Sequence, residues 1–260
     1  MVATHENKNK YKVIGKSPIR HDGVDKVTGR ATYGADIKVP GLIWGDVLRS
    51  PHPHARILSI DTSKAESMDG VFAVVTNKDF PNVEEKEVST GEDVVNLKRD
   101  QANIMAYDKV HYKGHVIAGV AAIDRNTAQE AIKKIEVKYE VLKHISDVDS
   151  AMAKNAPIIL ESLIGDHLGE NVPNTNVAKI FRHEFGDVEQ AFKDSDCVIE
   201  RTFTMSMIHQ GYIEPHNATA VWGQDGKINL WASTQGSFGV RAQTSGMLGI
   251  PESKIKVNYV

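Results

Sequence analysis

His209, Gln210, Tyr212, Glu214 and His216 lie within one short stretch, IHQGYIEPHNATAVW, and their side chains can hold a metal, move a proton or anchor a ligand. With Gln210 set aside, His209, Glu214 and His216 form a zinc-type donor set, provided the backbone turns to converge them. On an extended strand, however, positions 210, 212, 214 and 216 face one way and 209 the other. That splits the histidines, and Pro215 interrupts the ladder. The expectation is a buried hydrogen-bonding network that positions the neighbouring loop, rather than a mononuclear metal site.

Other reactive residues are sparse. Cys197 is the only cysteine, so this chain holds no internal disulfide and no zinc or iron-sulfur site built from its own thiols. Its flanks, DSDCVIERTF, read as a strand entering a core, which makes a buried structural thiol the expectation. His52 and His54 alternate with prolines in SPHPHARI, where a rigid loop fixing a strand entry is expected in place of a metal tract. No GxGxxG or GxxxxGK[ST] follows a strand, and no Ser-His-Asp spacing stands out, so nothing supports nucleotide binding or triad chemistry.

The elements that must position these residues follow from composition and pattern. At 260 residues two domains are expected. With 41% hydrophobic and 25% charged residues and a net charge of -3, the chain has no electrostatic case for nucleic acid or an anionic membrane. The opening MVATHENKNKYKVIG lacks the apolar core of a secretory signal. No stretch reaches the roughly 20 apolar residues of a membrane span, and a cytoplasmic location is expected.

Residues 1–11 read as a flexible arm. Residues 12–150 read as an α+β domain whose strands IWGDVLRS, ARILSIDT and VFAVVTN are short, β-branched and bounded by turn residues. SKAESMDG reads as a helix capped by Ser63 and stopped by Gly70. VEEKEVSTGEDVVNLKRDQANIMAYD reads as a long surface loop, of which Glu92 to Asn103 is a candidate approach to a substrate entrance. KVHYKGHVIAGVAAI reads as strand, turn and strand, and NTAQEAIKKIEVKYEVL as a helix capped by Asn126 or Thr127 that runs into a strand.

Residues 151–175 form a connector with a helical segment ended before Pro157 and the Gly/Asn/Pro-rich GDHLGENVPNTNV. Residues 176–260 read as a second, partial α+β domain. It comprises the helix DVEQAFKDS, a long alternating strand IERTFTMSMIH, the polar cluster, a strand, a helix after STQGSF, and the last strand IKVNYV. An apolar strand there needs pairing and cover, and a partner chain is the expected source.

Several long motifs, in order, carry a family likeness: KVTG (26–29), SPHPHARI (50–57), YKGHVIAGVAA (112–122), GDVEQAFKDSDCVIERTF, HQGYIEPHNATAVW and STQGSFGVRAQTSGMLGIP. Together they make the chain resemble the molybdenum-binding subunit of the xanthine dehydrogenase and aldehyde oxidase family, from its hammerhead domain into its molybdopterin-binding domain. The resemblance implies a molybdenum hydroxylase component that inserts oxygen from water into a purine or other N-heteroaromatic, or in an alternative an aldehyde-oxidising or carbon monoxide dehydrogenase-like member. It implies molybdopterin shared with a partner chain, and [2Fe-2S] clusters and FAD on other subunits.

In the family a GGGFG loop follows the KVNYV-like strand, and a glutamate further on acts as base. Neither occurs here, so no catalytic residue is assigned and a partner carrying the rest of the molybdopterin domain is expected. A non-catalytic scaffold or a truncated product is the rival reading. On the cofactor side the resemblance points to Gln235, Gly236, Phe238 and Arg241, and near the molybdenum centre to Ile208, His209, Gln210 and Glu214. Gln235 alternatively satisfies its own turn, Phe238 reads as core, and Arg241 as a salt-bridge partner near the turn.

Overall fold

The computed structural model of the chain describes residues 11–89 and 94–260, so the arm expected at 1–11 falls outside them save for Tyr11. An irregular strap with a short helix α1 (Gly23–Val27) leads into β1 (Trp44–Arg49), β2 (Ala55–Asp61), α2 (Ser63–Glu66) and β3 (Val71–Thr76). The hairpin β4 (Glu87–Ser89) and β5 (Val94–Asn96) and helix α3 (Leu97–Ile104) follow, then β6 (Lys109–Val110), β7 (Val116–Ala122), α4 (Arg125–Ile132) and β8 (Glu136–Val141).

Two antiparallel sheets result, β1-β7-β3 and β6-β2-β8. The first core is built from Ala65, Ala118, Val120, Ala122, Ala128, Ala131 and Ile135. Alanines on both surfaces let α4 lie close on β7, a packing that larger side chains would hold apart. On the opposite face of β7, Gly119 leaves room for the neighbouring strand, since a Cβ there would meet Val75 Cγ2 at 3.2 Å.

Local capping departs from expectation by one or two residues. Asp124, in place of Asn126 or Thr127, caps α4 by accepting from the Thr127 N–H at 2.8 Å. The N-cap of α2 is Thr62 in place of Ser63, because Asp61 Oδ1 accepts from both the Ser63 N–H and its hydroxyl. The helix ends at Ser67, and Gly70 (φ +84°) instead makes the turn into β3. The larger correction is the expected loop. Leu97 and Gln101 are buried on α3, which Asn96 caps by accepting from the Arg99 N–H at 3.0 Å, and β4 and β5 pair ahead of it. Glu92 lies outside the described residues.

The connector is also more ordered than its Gly/Asn/Pro content suggests. After α5 (Val148–Met152), β9 (Ile164–His167) and β10 (Glu170–Pro173) form a hairpin with Leu168 and Gly169 both at positive φ, and β11 (Lys179–Ile180) adds parallel to β9. Such a two-residue turn matches the strand twist. Lys109 ties the connector to the first unit by donating to both Glu161 oxygens at 2.5 and 2.7 Å, which holds the Glu161 carboxyl below its usual range.

Beyond helix α6 (Val188–Asp194) lie β12 (Ala218–Trp222), β13 (Ile228–Ala232), α7 (Ser237–Leu248) and β14 (Ile255–Tyr259), forming the sheet β12-β13-β14. IKVNYV pairs parallel with β13 and leaves its other edge unpaired among the described residues. Residues 195–217 carry no helix or strand, so the long strand expected over IERTFTMSMIH does not form. Phe203, Met205 and Met207 stand 88%, 92% and 101% exposed, and Cys197 is exposed, not buried. Among the described residues no helix is long and apolar enough to cross a membrane.

Candidate functional site

The turn between β13 and α7 is set by the end of a strand ladder. The antiparallel register pairs Ala218 with Ala232. One residue further out, the Asn217 N–H donates to Ser233 Oγ at 2.9 Å and the Ser233 N–H donates to the Asn217 carbonyl at 3.1 Å. Thr234 then folds the chain back, its Oγ1 accepting from the Gly236 N–H at 3.1 Å. Gly236 is the N-cap of α7 and provides no side-chain cap, and no acidic residue lies in the first turn.

The first-turn N–H groups of α7 are therefore left for a ligand or solvent, at the positive end of a 12-residue helix. Gln235 is exposed at this mouth, and among the described residues its amide has no hydrogen-bond partner. Thr234, not Gln235, satisfies the turn backbone, which removes the alternative reading of that amide. An uncapped helix start beside a free amide suits an anionic group presenting several oxygen or sulfur acceptors.

Phe238 and Arg241 share the next turn of α7. Phe238 is exposed and not part of the core, and the Arg241 guanidinium lies 5.2 Å from its ring centroid. Arg241 Nε also donates to Glu252 Oε2 at 3.1 Å, so the arginine is engaged as the expected salt-bridge partner near the turn.

Ile208, His209, Gln210 and Glu214 fall in the segment that enters β12, and they do not lie on a strand as expected. The chain turns at Gly211 (φ +63°), where the Gly211 N–H donates to His209 Nδ1 at 3.0 Å. That turn gathers the rings that alternation would have split: His209 and His216 lie 5.3 and 5.2 Å from the Tyr212 ring, and Tyr212 Oη lies 2.7 Å from His216 Nε2. The network exists but is exposed, not buried, because no strand or sheet lies over it. Ile208 is also largely exposed. Among the described residues no group of three or more His, Cys, Asp or Glu side chains could hold a metal ion.

The imidazoles of the SPHPHARI motif pack into the fold. His54 is buried, its Nδ1 2.7 Å from the Lys143 carbonyl, and His52 packs edge-on against Tyr139. Burial pushes the pKa of His111 and His115 below the ordinary histidine value. Asn217, Ser233 and Thr234 went unnoticed as site residues. The signal that points to them is the Thr-Gln-Gly sequence directly after an alternating strand, a side-chain-closed turn at a helix start.

The family description "Aldehyde oxidase and xanthine dehydrogenase, a/b hammerhead domain" matches residues 28–143. "Molybdopterin cofactor-binding domain" matches residues 168–259. The chain is 33% identical over 247 residues to the nicotinate dehydrogenase large molybdopterin subunit of Eubacterium barkeri, covering 95% of this chain and 53% of that one. It is 33% identical over 256 residues to the carbon monoxide dehydrogenase large chain of Afipia carboxidovorans, covering 97% of this chain and 31% of that one. Reconstituted CO dehydrogenase from Oligotropha carboxidovorans superposes with a TM-score of 0.73 at 32% identity, over 94% of this chain and 30% of that one. The chain thus spans about half the length of the first of these relatives and less than a third of the other two.

Proposed function

Because the chain belongs to the xanthine dehydrogenase and aldehyde oxidase family of molybdenum hydroxylases, we propose that it forms one wall of a molybdopterin site. The enzyme it serves hydroxylates a purine or other N-heteroaromatic with oxygen taken from water. The observation that carries this reading is the uncapped start of α7 beside the free Gln235 amide, inside the region matched to a molybdopterin-binding domain. These donors fit the anionic, acceptor-rich cofactor. When bound, the cofactor supplies the two-electron oxidation, and the electrons leave through [2Fe-2S] clusters and FAD held by other subunits.

The chain's own residues orient and screen. Gln235 and the first-turn N–H groups of α7 bind the anionic side of the cofactor, and Gly236 lets it approach the backbone closely. Phe238, stiffened by Arg241 above its face, limits water on that side. His209, Gln210, Tyr212 and Glu214, held by the turn at Gly211, border the substrate side. No carboxylate here is assigned as base, and that group is supplied by further polypeptide.

Exposed apolar residues support a role for further polypeptide. Ile199, Phe203, Met205 and Met207 alternate with polar residues and are exposed, as are Phe185 and Ile213. Apolar patches of this kind mark interaction sites, and period-two alternation suits a strand that forms against a partner edge. We propose that the polypeptide supplying the base also covers this segment. A cytoplasmic setting suits the lone, unpaired Cys197.

The likeness to CO dehydrogenase favours a second reading within the family, in which the substrate is carbon monoxide or an aldehyde. Purifying the chain with the polypeptides encoded beside it, then assaying xanthine, nicotinate, an aldehyde and carbon monoxide, separates these readings. A complex holding molybdenum, iron and flavin with ring-hydroxylating activity is expected. Activity on carbon monoxide or aldehyde alone moves the assignment to the second reading. A persistently metal-free complex, inactive on all four, indicates a scaffold.

A further inference from the structure

Gly34 sits far from α7 in sequence yet touches the residue that sets the α7 turn. It opens a short 3-10 turn (Gly34–Asp36) in the N-terminal strap, closed by the Tyr33 N–H donating to Asp36 Oδ2 at 3.0 Å. Gly34 is buried, and its φ is not in the left-handed region, so backbone freedom does not account for a glycine there. Space does. A Cβ on Gly34 would lie 2.9 Å from Asn217 Oδ1, 3.2 Å from Asn217 Cβ and 3.3 Å from Asn217 Cγ. The first distance demands movement and the second leaves little slack, because Cβ of Asn217 moves only with its backbone.

Asn217 is the hinge post of the candidate site. Its carbonyl accepts from the Ser233 N–H and its N–H donates to Ser233 Oγ, just beyond the ladder, and the next two residues along the chain are Thr234 and Gln235. On its other side His216 hydrogen-bonds Tyr212. A shift at Asn217 therefore moves both walls: the uncapped helix start and the His209–His216 turn.

We infer that Gly34 is a positioning residue: the strap seats Asn217 in the socket left by the missing side chain, and that contact fixes where Gln235 and the α7 N-terminus stand. The cofactor part of this inference rests on the molybdopterin reading above, whereas the contact itself does not. Gly34 acts through Asn217 and touches no ligand.

The test is hydrogen exchange on the full chain, followed by mass spectrometry, with wild type, Gly34→Ala, Asn217→Ala and the double variant. Gly34→Ala is expected to speed exchange over residues 233–240 by about tenfold, since overpacking of this kind costs a comparable free energy. Exchange over Val116–Ala122 in the first core is expected to stay unchanged, which separates repositioning from failure to fold. In the double variant the Cγ and Oδ1 that meet the new methyl are gone and only the 3.2 Å approach to Cβ remains, so protection of 233–240 should return partway toward that of Asn217→Ala. Unchanged exchange over 233–240 in a folded Gly34→Ala chain overturns the inference, as does a double variant no better protected than Gly34→Ala.

In the assembled complex, pterin released per chain on denaturation is read by its fluorescence. Gly34→Ala should lower it severalfold, with partial return in the double variant. If wild type carries no pterin in any complex, the molybdopterin reading falls while the exchange result still decides the contact.

Discussion

At the scale of residues, the site depends on which polar groups are free and which are taken. Gln235 is free, because Thr234 closes the turn. Gln235→Ala should therefore leave thermal stability within about 0.5 kcal/mol, as exposed substitutions do. In the assembled enzyme it should lower turnover by about tenfold or more, the loss of a single preorganised donor. Differential scanning fluorimetry and kcat on one preparation check both halves. The half-buried His111 and the buried His115 yield a second prediction. His111 and His115 titrate below 6.5 because burial disfavours their charged forms. The unfolded chain then binds more protons than the folded one below about pH 6.5, so stability is present in full above that pH and declines as pH falls toward the folded values. Unfolding midpoints measured from pH 7.5 to 5 should drop, and His111→Gln should make the drop shallower.

At the scale of elements, α7 is a helix whose own stability is left unimproved at the start. Gly236→Asp would supply a side-chain cap and a negative charge at the positive end, stabilising α7 by about 0.5–1 kcal/mol. The same carboxylate would occupy the donors assigned to the cofactor, so the variant should melt higher and carry less pterin. Asp124→Ala is the contrasting case: it removes the α4 cap and should cost about 1 kcal/mol with no change in pterin content of the folded protein. Elements of this kind were legible in the sequence where the signal is local. β1, β2, β3 and β7 follow from β-branched runs between turn residues, and α7 from the stretch after STQGSF to Gly249. Helix α3 was missed because it buries only Leu97 and Gln101 along a polar stretch, too little to show a period. The strand over Ile199–His209 was expected and is absent for the opposite reason. Alternation is local, but a strand needs a ladder partner, and that partner is not written in neighbouring residues. The approach of His209 to Tyr212 was not legible, because a turn at Gly211, not strand alternation, brings that ring to the side of Tyr212 and His216.

At the scale of the whole molecule, the first unit packs on alanine-rich cores, whereas the segment Ile199–Met207 in the second matched region stays exposed. The family likeness was legible in the sequence because long motifs in order carry it, whereas the tie between the strap and the α7 turn was not, since Gly34 and Asn217 are brought together only by folding. Cover for the exposed segment should change its behaviour. Phe203→Asp should leave the isolated chain's melting unchanged within about 0.5 kcal/mol, because that ring packs on nothing, yet it should weaken assembly with the covering polypeptide in gel filtration. The most direct test of a molybdopterin site shared between polypeptides is molybdenum and pterin content per chain, measured on the isolated 260-residue chain and on its complex with the polypeptide that covers the segment. Little molybdenum is expected on the isolated chain, and stoichiometric molybdenum and pterin in the complex. Stoichiometric cofactor on the isolated chain, or none in the complex, would contradict a shared site.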